Sequence, residues 1–211
     1  MPECDVPTFV LATGNSHKVD EVTRILASLG VECTIVSMDD ACQAAGVSVP
    51  DIVEDGATFA DNALIKARAI CELTGGSVLA EDSGITVDAL NGMPGIFSAR
   101  WAGSHGDDQA NLDLLINQLT DVPDDRRGAA FECVLAMVTQ DDIGEVSEFV
   151  VQGTVRGHVL REERGSSGFG YDPIFVPDGF EQTTAQMTSD QKDGVSHRRR
   201  ALEKLAARLG S

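Results

Sequence analysis

The first thirty residues constrain the fold most. A short apolar run over residues 8–12 (Thr8-Phe9-Val10-Leu11-Ala12) is followed by the polar turn Thr13-Gly14-Asn15-Ser16-His17. Val19, Val22, Ile25, Leu26 and Leu29 then recur at helical spacing, and Gly30 stops the run. A strand, a glycine turn and an amphipathic helix in that order make a βα unit. Such a unit must bury both faces of its strand, which commits the chain to an α/β layer architecture.

The rest of the chain extends that pattern. Residues 31–36 read as a second strand, 39–57 as loop, and 58–73 as a helix ending at Gly75-Gly76. Residues 77–80 read as a short buried strand running into Glu81-Asp82-Ser83-Gly84, and Leu112, Leu115, Ile116 and Leu119 mark a third helix. Two β-like runs, 129–139 and 145–153, flank Asp141-Asp142-Ile143-Gly144 as an antiparallel hairpin. A glycine-rich stretch, 165–170, precedes another strand, and Leu202, Leu205 and Leu209 close the chain on a helix. The expected fold is α/β: a central mixed sheet flanked by helices, within one domain spanning 1–211 and built as two lobes around a cleft.

At 211 residues and 42% apolar content, the chain can bury a core without disulfides. Its five cysteines (Cys4, Cys33, Cys42, Cys71, Cys133) are irregularly spaced with no CxxC, so reduced thiols are expected. No apolar run reaches the roughly 18 residues that span a bilayer. Met1-Pro2-Glu3-Cys4-Asp5 is acidic where a signal peptide is basic, which predicts a cytoplasmic protein. Asp and Glu number 34 against 16 Lys and Arg, a formal charge of −18. That field repels a nucleic-acid backbone, yet a local site can still hold a small anion.

Four stretches offer chemistry. Thr13-Gly14-Asn15-Ser16-His17-Lys18 joins a strand to a helix, so helix N–H groups and a lysine make an anion site; it reads equally as a capped turn. Glu81-Asp82-Ser83-Gly84 presents adjacent carboxylates at a strand end, suited to Mg²⁺ or to deprotonating a water, or else forms an acidic turn. Glu54 and Asp55 are further acidic candidates, while Asp61 and Asn62 read equally as the exposed face of a helix. In Gly168-Phe169-Gly170-Tyr171-Asp172, Phe169 is either a stacking platform or core, and Asp172 is an acceptor for a base edge or a water. Lys192 with Ser196-His197-Arg198 opens the last helix with positive charge where the helix dipole disfavours it, which an anionic or carbonyl-bearing ligand would explain.

Taken in order, Thr13-Gly14-Asn15-x-x-Lys18, Glu81-Asp82-Ser83-Gly84, Pro94-Gly95-Ile96-Phe97-Ser98-Ala99-Arg100, Gly168-Phe169-Gly170-Tyr171-Asp172-Pro173 and Ser196-His197-Arg198 resemble the inosine triphosphate pyrophosphatase family over residues 8–209. The resemblance implies Mg²⁺-dependent hydrolysis of ITP, dITP and XTP to the monophosphate and pyrophosphate, which cleanses the nucleotide pool. It also implies an elongated two-lobed fold with the active site in the groove between the lobes, and a homodimer with no nucleic-acid or membrane partner. By position, residues 13–18 match the phosphate loop, with Lys18 on the phosphates. Asp82 matches the general base and metal ligand, Ser83 a substrate contact, and Glu54 falls near the other acidic metal ligand. Phe169, Gly170, Tyr171, Asp172, Lys192, His197 and Arg198 match the base-recognition set. The chain departs from the family in having Glu81 where Asp is usual, and Asp61, one methylene shorter than the usual Glu, is expected to reach a ligand only through water. Lys192 and Arg198 would donate to a purine 6-oxygen, which adenine lacks; guanine shares it, so rejecting GTP falls to the 2-amino position. A pyrophosphatase for other modified nucleotides and a non-catalytic nucleotide sensor remain the alternatives.

Overall fold

The computed structural model describes residues 6–141 and 143–210, apart from the side chains of Ser16 and His17. Cys4 and the acidic N-terminal segment thus lie outside the described residues. Six strands form one mixed sheet: β1 (Thr8–Leu11), β2 (Thr34–Ser37), β3 (Gly76–Val87), β4 (Gly128–Gln140), β5 (Val146–Val159) and β6 (Phe175–Pro177), in the order β2-β1-β3-β4-β5-β6. The principal helices are α1 (Ser16–Ser28), α2 (Met38–Ala45), α3 (Phe59–Thr74), α4 (Asp108–Gln118), α5 (Ser189–Gly194) and α6 (His197–Leu209). The chain folds as two compact units.

The first unit comprises the described residues of Met1–Asp82, Val134–Gln152 and Ala201–Ser211. Here β1 runs parallel to both β2 and β3, with Phe9 opposite Ile35 on one side and Ser77 on the other. The strand order therefore reverses at β1, and the carboxyl ends of β1 and β3 flank a topological switch point, where α/β folds bind ligands. Val22, Ile25 and Leu26 of α1 are buried as their spacing requires, together with Ala63, Ala67 and Ile70 of α3. Thr58 caps α3 in a reciprocal box with Asp61, which fixes where that helix starts.

The second unit comprises Ser83–Cys133 and Gly153–Arg200. Its core gathers Ile85, Leu112, Leu115, Phe175 and their neighbours. β5 and β6 pair antiparallel, Val159 facing Phe175. Arg127 is buried and donates to the carbonyls of Val159, Leu119 and Leu160 at 2.6 to 2.8 Å, tying the loop after α4 to the end of β5.

Three elements differ from the expectation. Residues 39–57 are not all loop, because α2 occupies their start. Only Ala41 and Cys42 of α2 are buried, so it carries no apolar stripe; its signal is the Ser37 N-cap, which accepts from Asp40 N–H. The strand expected over 77–80 continues to Val87, so the acidic quartet is strand and not turn. And α5, six polar residues capped by Thr188, precedes the last helix.

Candidate functional site

Two clusters of side chains coincide with the motifs, one in each unit. In the first, Ala12 N–H donates to the Leu79 carbonyl at 2.8 Å, holding the end of β1 to β3. The chain then turns into α1, with Asn15 N–H on Thr13 Oγ1 at 3.2 Å and Lys18 N–H on the Asn15 carbonyl at 3.1 Å. A side chain added at Gly14 would meet nothing within 4 Å, so this turn faces open space beside a helix N-terminus. The side chains of Ser16 and His17, two expected phosphate contacts, lie outside those described.

Because Glu81 and Asp82 sit within a strand, their side chains point to opposite faces of the sheet. Glu81 is buried and meets Lys18 Nζ of α1 at 2.8 Å. Asp82 turns instead to α3. Its Oδ2 accepts from Asn62 Nδ2 at 3.0 Å, and its Oδ1 lies 3.9 Å from Lys66 Nζ. Lys66 also binds Glu54 at 2.7 Å, while Asn62 Oδ1 accepts from Gly56 N–H at 2.8 Å. Asn62 thus ties the loop carrying Glu54 to the strand carrying Asp82.

Sequence reasoning missed Lys66, and of the two readings it left open for Asn62 the exposed helix face is excluded, because Asn62 is 1% exposed. Their i, i+4 spacing, counted from the Thr58 cap, was the available signal. Asp61 closes the cap of α3: its Oδ2 accepts from Thr58 N–H at 3.0 Å and Thr58 Oγ1 at 2.8 Å.

Among the described residues, no three His, Cys, Asp or Glu side chains gather to hold a metal. Glu54 and Asp82, however, share one ammonium, which makes a locally negative seat with hard oxygen donors. Mg²⁺ commonly takes one or two carboxylates and completes its shell with water and phosphate oxygens, so this pair fits it. Glu81, engaged by Lys18 on the other face, stands apart from that seat.

In the second unit, Ser83 is half-buried along β3. At Gly84 any side chain would overlap Ser98, whose hydroxyl accepts from Ile85 N–H at 2.9 Å and donates to the Gly95 carbonyl at 2.6 Å. The Pro94-to-Arg100 motif thus packs directly on the strand that follows the acidic pair. Tyr171 is buried, and its hydroxyl donates to the Ser98 carbonyl at 2.8 Å. Burial, together with the Asp108 charge, pushes its phenol well above the ordinary value.

Phe169 is 67% exposed, with Lys192 Nζ 5.3 Å from its ring centroid. Asp172 is not an open acceptor. It is buried, and its carboxylate accepts from Phe169 N–H at 2.9 Å, Lys192 Nζ at 2.5 Å and Thr184 Oγ1 at 2.7 Å. Gly170 N–H donates to Asp108 at 3.0 Å. At the start of α6, His197 stacks on Phe131 with centroids 5.1 Å apart, Arg198 is buried, and Ser196 Oγ accepts from Arg199 N–H at 3.3 Å. The cationic opening of that helix therefore carries a serine N-cap and a buried guanidinium side by side.

Chemically, the first cluster offers two ammonium groups, helix N–H groups and a hard-oxygen pair, the equipment for a polyphosphate and its cation. The second offers a flat exposed ring with a lysine above it, and α6 opens with a histidine and a buried arginine, the equipment for a heterocyclic base.

Residues 9–208 match the model of the Ham1 family. A dITP/XTP pyrophosphatase of Corynebacterium efficiens is 50% identical over 204 residues, covering 93% of this chain and 94% of that protein. Among solved structures, a nucleoside-triphosphatase / dITP/XTP pyrophosphatase from Mycobacterium abscessus is 49% identical with a TM-score of 0.77, covering 96% of this chain and 99% of that one. A Ham1 protein from Coxiella burnetii is 37% identical with a TM-score of 0.85, over 97% and 99% of the two chains.

Proposed function

The chain belongs to the Ham1 family, and from that premise we propose that it hydrolyses dITP, XTP and ITP to the monophosphate and pyrophosphate, removing non-standard purines from the nucleotide pool. The observation that carries this reading is the pairing of Lys18 and Lys66 with the carboxylates of β3 and of the loop at Glu54, beside an open helix N-terminus.

In this reading the triphosphate is handled by the first unit. Backbone N–H groups of residues 14–18 and the ammonium of Lys18 meet phosphate oxygens, with Glu81 holding Lys18 in place. Lys66 offsets the remaining negative charge. Asp82, its carboxylate oriented by the Asn62 amide, accepts the proton of the water that attacks the α-phosphorus. Mg²⁺, when bound by Glu54 and Asp82, would neutralise charge on the phosphate oxygens.

The base is handled by the second unit. Its ring stacks on Phe169, while Lys192 and Arg198 donate to the 6-oxygen, with Ser83 and His197 as further contacts. Adenine carries a donor at that position and would set it against these donors, a mismatch that can reach about 10⁴-fold in selectivity. The same reading carries a homodimer, a cytoplasmic location and no nucleic-acid or membrane partner. In support of the nucleic-acid part of that reading, the charge of −18 repels polynucleotides.

The test is pyrophosphate release from ITP, XTP, dITP, GTP, ATP and dTTP, with Mg²⁺ and with EDTA. Metal-dependent release confined to ITP, dITP and XTP, with IMP as the ITP product, is expected. Nucleotide binding without turnover would leave the sensor reading standing instead.

A further inference from the structure

The loop that presents Phe169 lacks regular secondary structure, so its shape depends on side-chain ties, and these converge on Asp172. Asp172 Oδ2 accepts from Lys192 Nζ and Phe169 N–H, and Oδ1 accepts from Thr184 Oγ1 at 2.7 Å. Thr184 is 5% exposed, and its hydroxyl also lies 3.1 Å from the Asp172 carbonyl. A carboxylate rotates readily about its last torsion and can exchange its two oxygens. The threonine donor occupies one of them, which leaves the other for the lysine.

Thr184 is itself firmly placed. It begins the one-turn helix Thr184–Gln186, whose cap residue Thr183 is boxed with Gln186. Thr183 Oγ1 donates to the Arg164 carbonyl at 2.6 Å, and Ser167 N–H donates to the Ala185 carbonyl at 3.1 Å. The turn therefore grips the Phe169 loop at its start and, through Asp172, at its end. Gly168 (φ +83°) packs against the ion pair so closely that a Cβ there would overlap Asp172 Oδ2 and lie 2.9 Å from Lys192 Nζ. The lysine is thus confined above the ring, and among the described residues Asp172 takes one of its three N–H donors.

We infer that Thr184 is a positioning residue for base recognition: its hydroxyl, acting through Asp172, holds Lys192 over Phe169 and so sets discrimination among purine triphosphates. This role deepens the base reading proposed above and rests on it. Thr184 does not touch the base itself. Removing its hydroxyl lets the Asp172 carboxylate rotate and the ammonium wander, which weakens a contact made to the substrate's 6-oxygen.

The experiment is steady-state kinetics on ITP and ATP for Thr184→Val and Thr184→Ser, each in wild-type and Lys192→Met backgrounds, with Tm recorded throughout. Thr184→Val is expected to raise the ITP KM about tenfold with little change in kcat, and to lower the ITP-to-ATP preference by a similar factor. Thr184→Ser, which keeps the hydroxyl, is expected to restore KM. In the Lys192→Met background Thr184→Val should change KM less than about twofold, because its effect passes through the lysine. An unchanged KM in Thr184→Val, or an equal effect in both backgrounds, overturns the role, as does a loss confined to Tm. Should the valine variant fail to fold, Thr184→Ala removes the same hydroxyl without adding bulk. Absence of ITP turnover in the wild type would overturn the base reading itself, and is told apart because it appears before any substitution.

Discussion

The two units hold their functional side chains by different means. In the first, every site side chain except Glu54 stands on a regular element: Lys18 on α1, Asn62 and Lys66 on the sixteen-residue α3, Glu81 and Asp82 on β3. In the second, Ser83 lies on β3 and His197 and Arg198 open α6, but Phe169 stands on a loop, Lys192 on a six-residue helix and Thr184 on a single turn. Among the described residues, two buried polar or charged side chains belong to the first unit and seven to the second. Strands and helices satisfy their own backbones and fix side chains by geometry, whereas an irregular segment needs buried side chains to tie it down. The contrast matches the division of labour proposed here. Proton and phosphate chemistry depends on positions held to a fraction of an ångström, while a flat base is met by a stacked ring and a few donors.

The largest effect is expected where the scaffold is most regular. Asp82→Asn should lower kcat by about 10²- to 10⁴-fold while leaving Tm close to wild type, because the amide fills the same space and keeps an acceptor for Asn62. Near-wild-type turnover in that variant would remove Asp82 from the reaction and with it half of the comparison.

A smaller effect belongs to the loop. Phe169→Ala should raise the ITP KM about tenfold, the scale of one lost base stack, with Tm unchanged because the ring faces solvent. A large fall in Tm with KM unaltered would show instead that the ring packs the loop.

The smallest effect is one in which the units should not differ at all. Each carries an exposed arginine fork, Arg68 on Glu148 in the first and Arg156 on Asp88 in the second. Hydrogen bonds from the guanidinium hold both carboxyls below their ordinary range. A carboxyl depressed by folding adds stability above its unfolded pKa and loses it as pH falls through the lower folded value. Glu148→Gln and Asp88→Asn should therefore each cost about 0–1 kcal/mol at pH 7, as for surface pairs generally. The difference from wild type should fade below about pH 4. A Tm difference that persisted in acid would assign these residues a role other than charge pairing.

Elements with a long apolar period were legible in the sequence. The opening βα unit, the helix over 58–73 and the first hairpin run all appear within a few residues of their expected places, because each signals burial through its own near neighbours. The second hairpin strand runs six residues past its expected end. Short capped elements were not. α2 and α5 bury too little to show a period, and their information lies in single cap residues such as Ser37 and Thr188. The extent of β3 was hidden by its polar quartet. Reading that quartet as adjacent carboxylates just past a strand end grouped Glu81 with Asp82, where strand alternation instead sends them to different partners.

The sequence alone determined the α/β class, the family and the stretches from which a site would be drawn, since all three rest on local pattern and ordered motifs. Tertiary structure alone decided the pairings: Lys18 with Glu81, Lys66 with Glu54 and Asp82, and Asp172 with Thr184 and Lys192. Those partners are between 12 and 63 residues apart along the chain, and only the packing of strands, helices and loops brings their polar groups together.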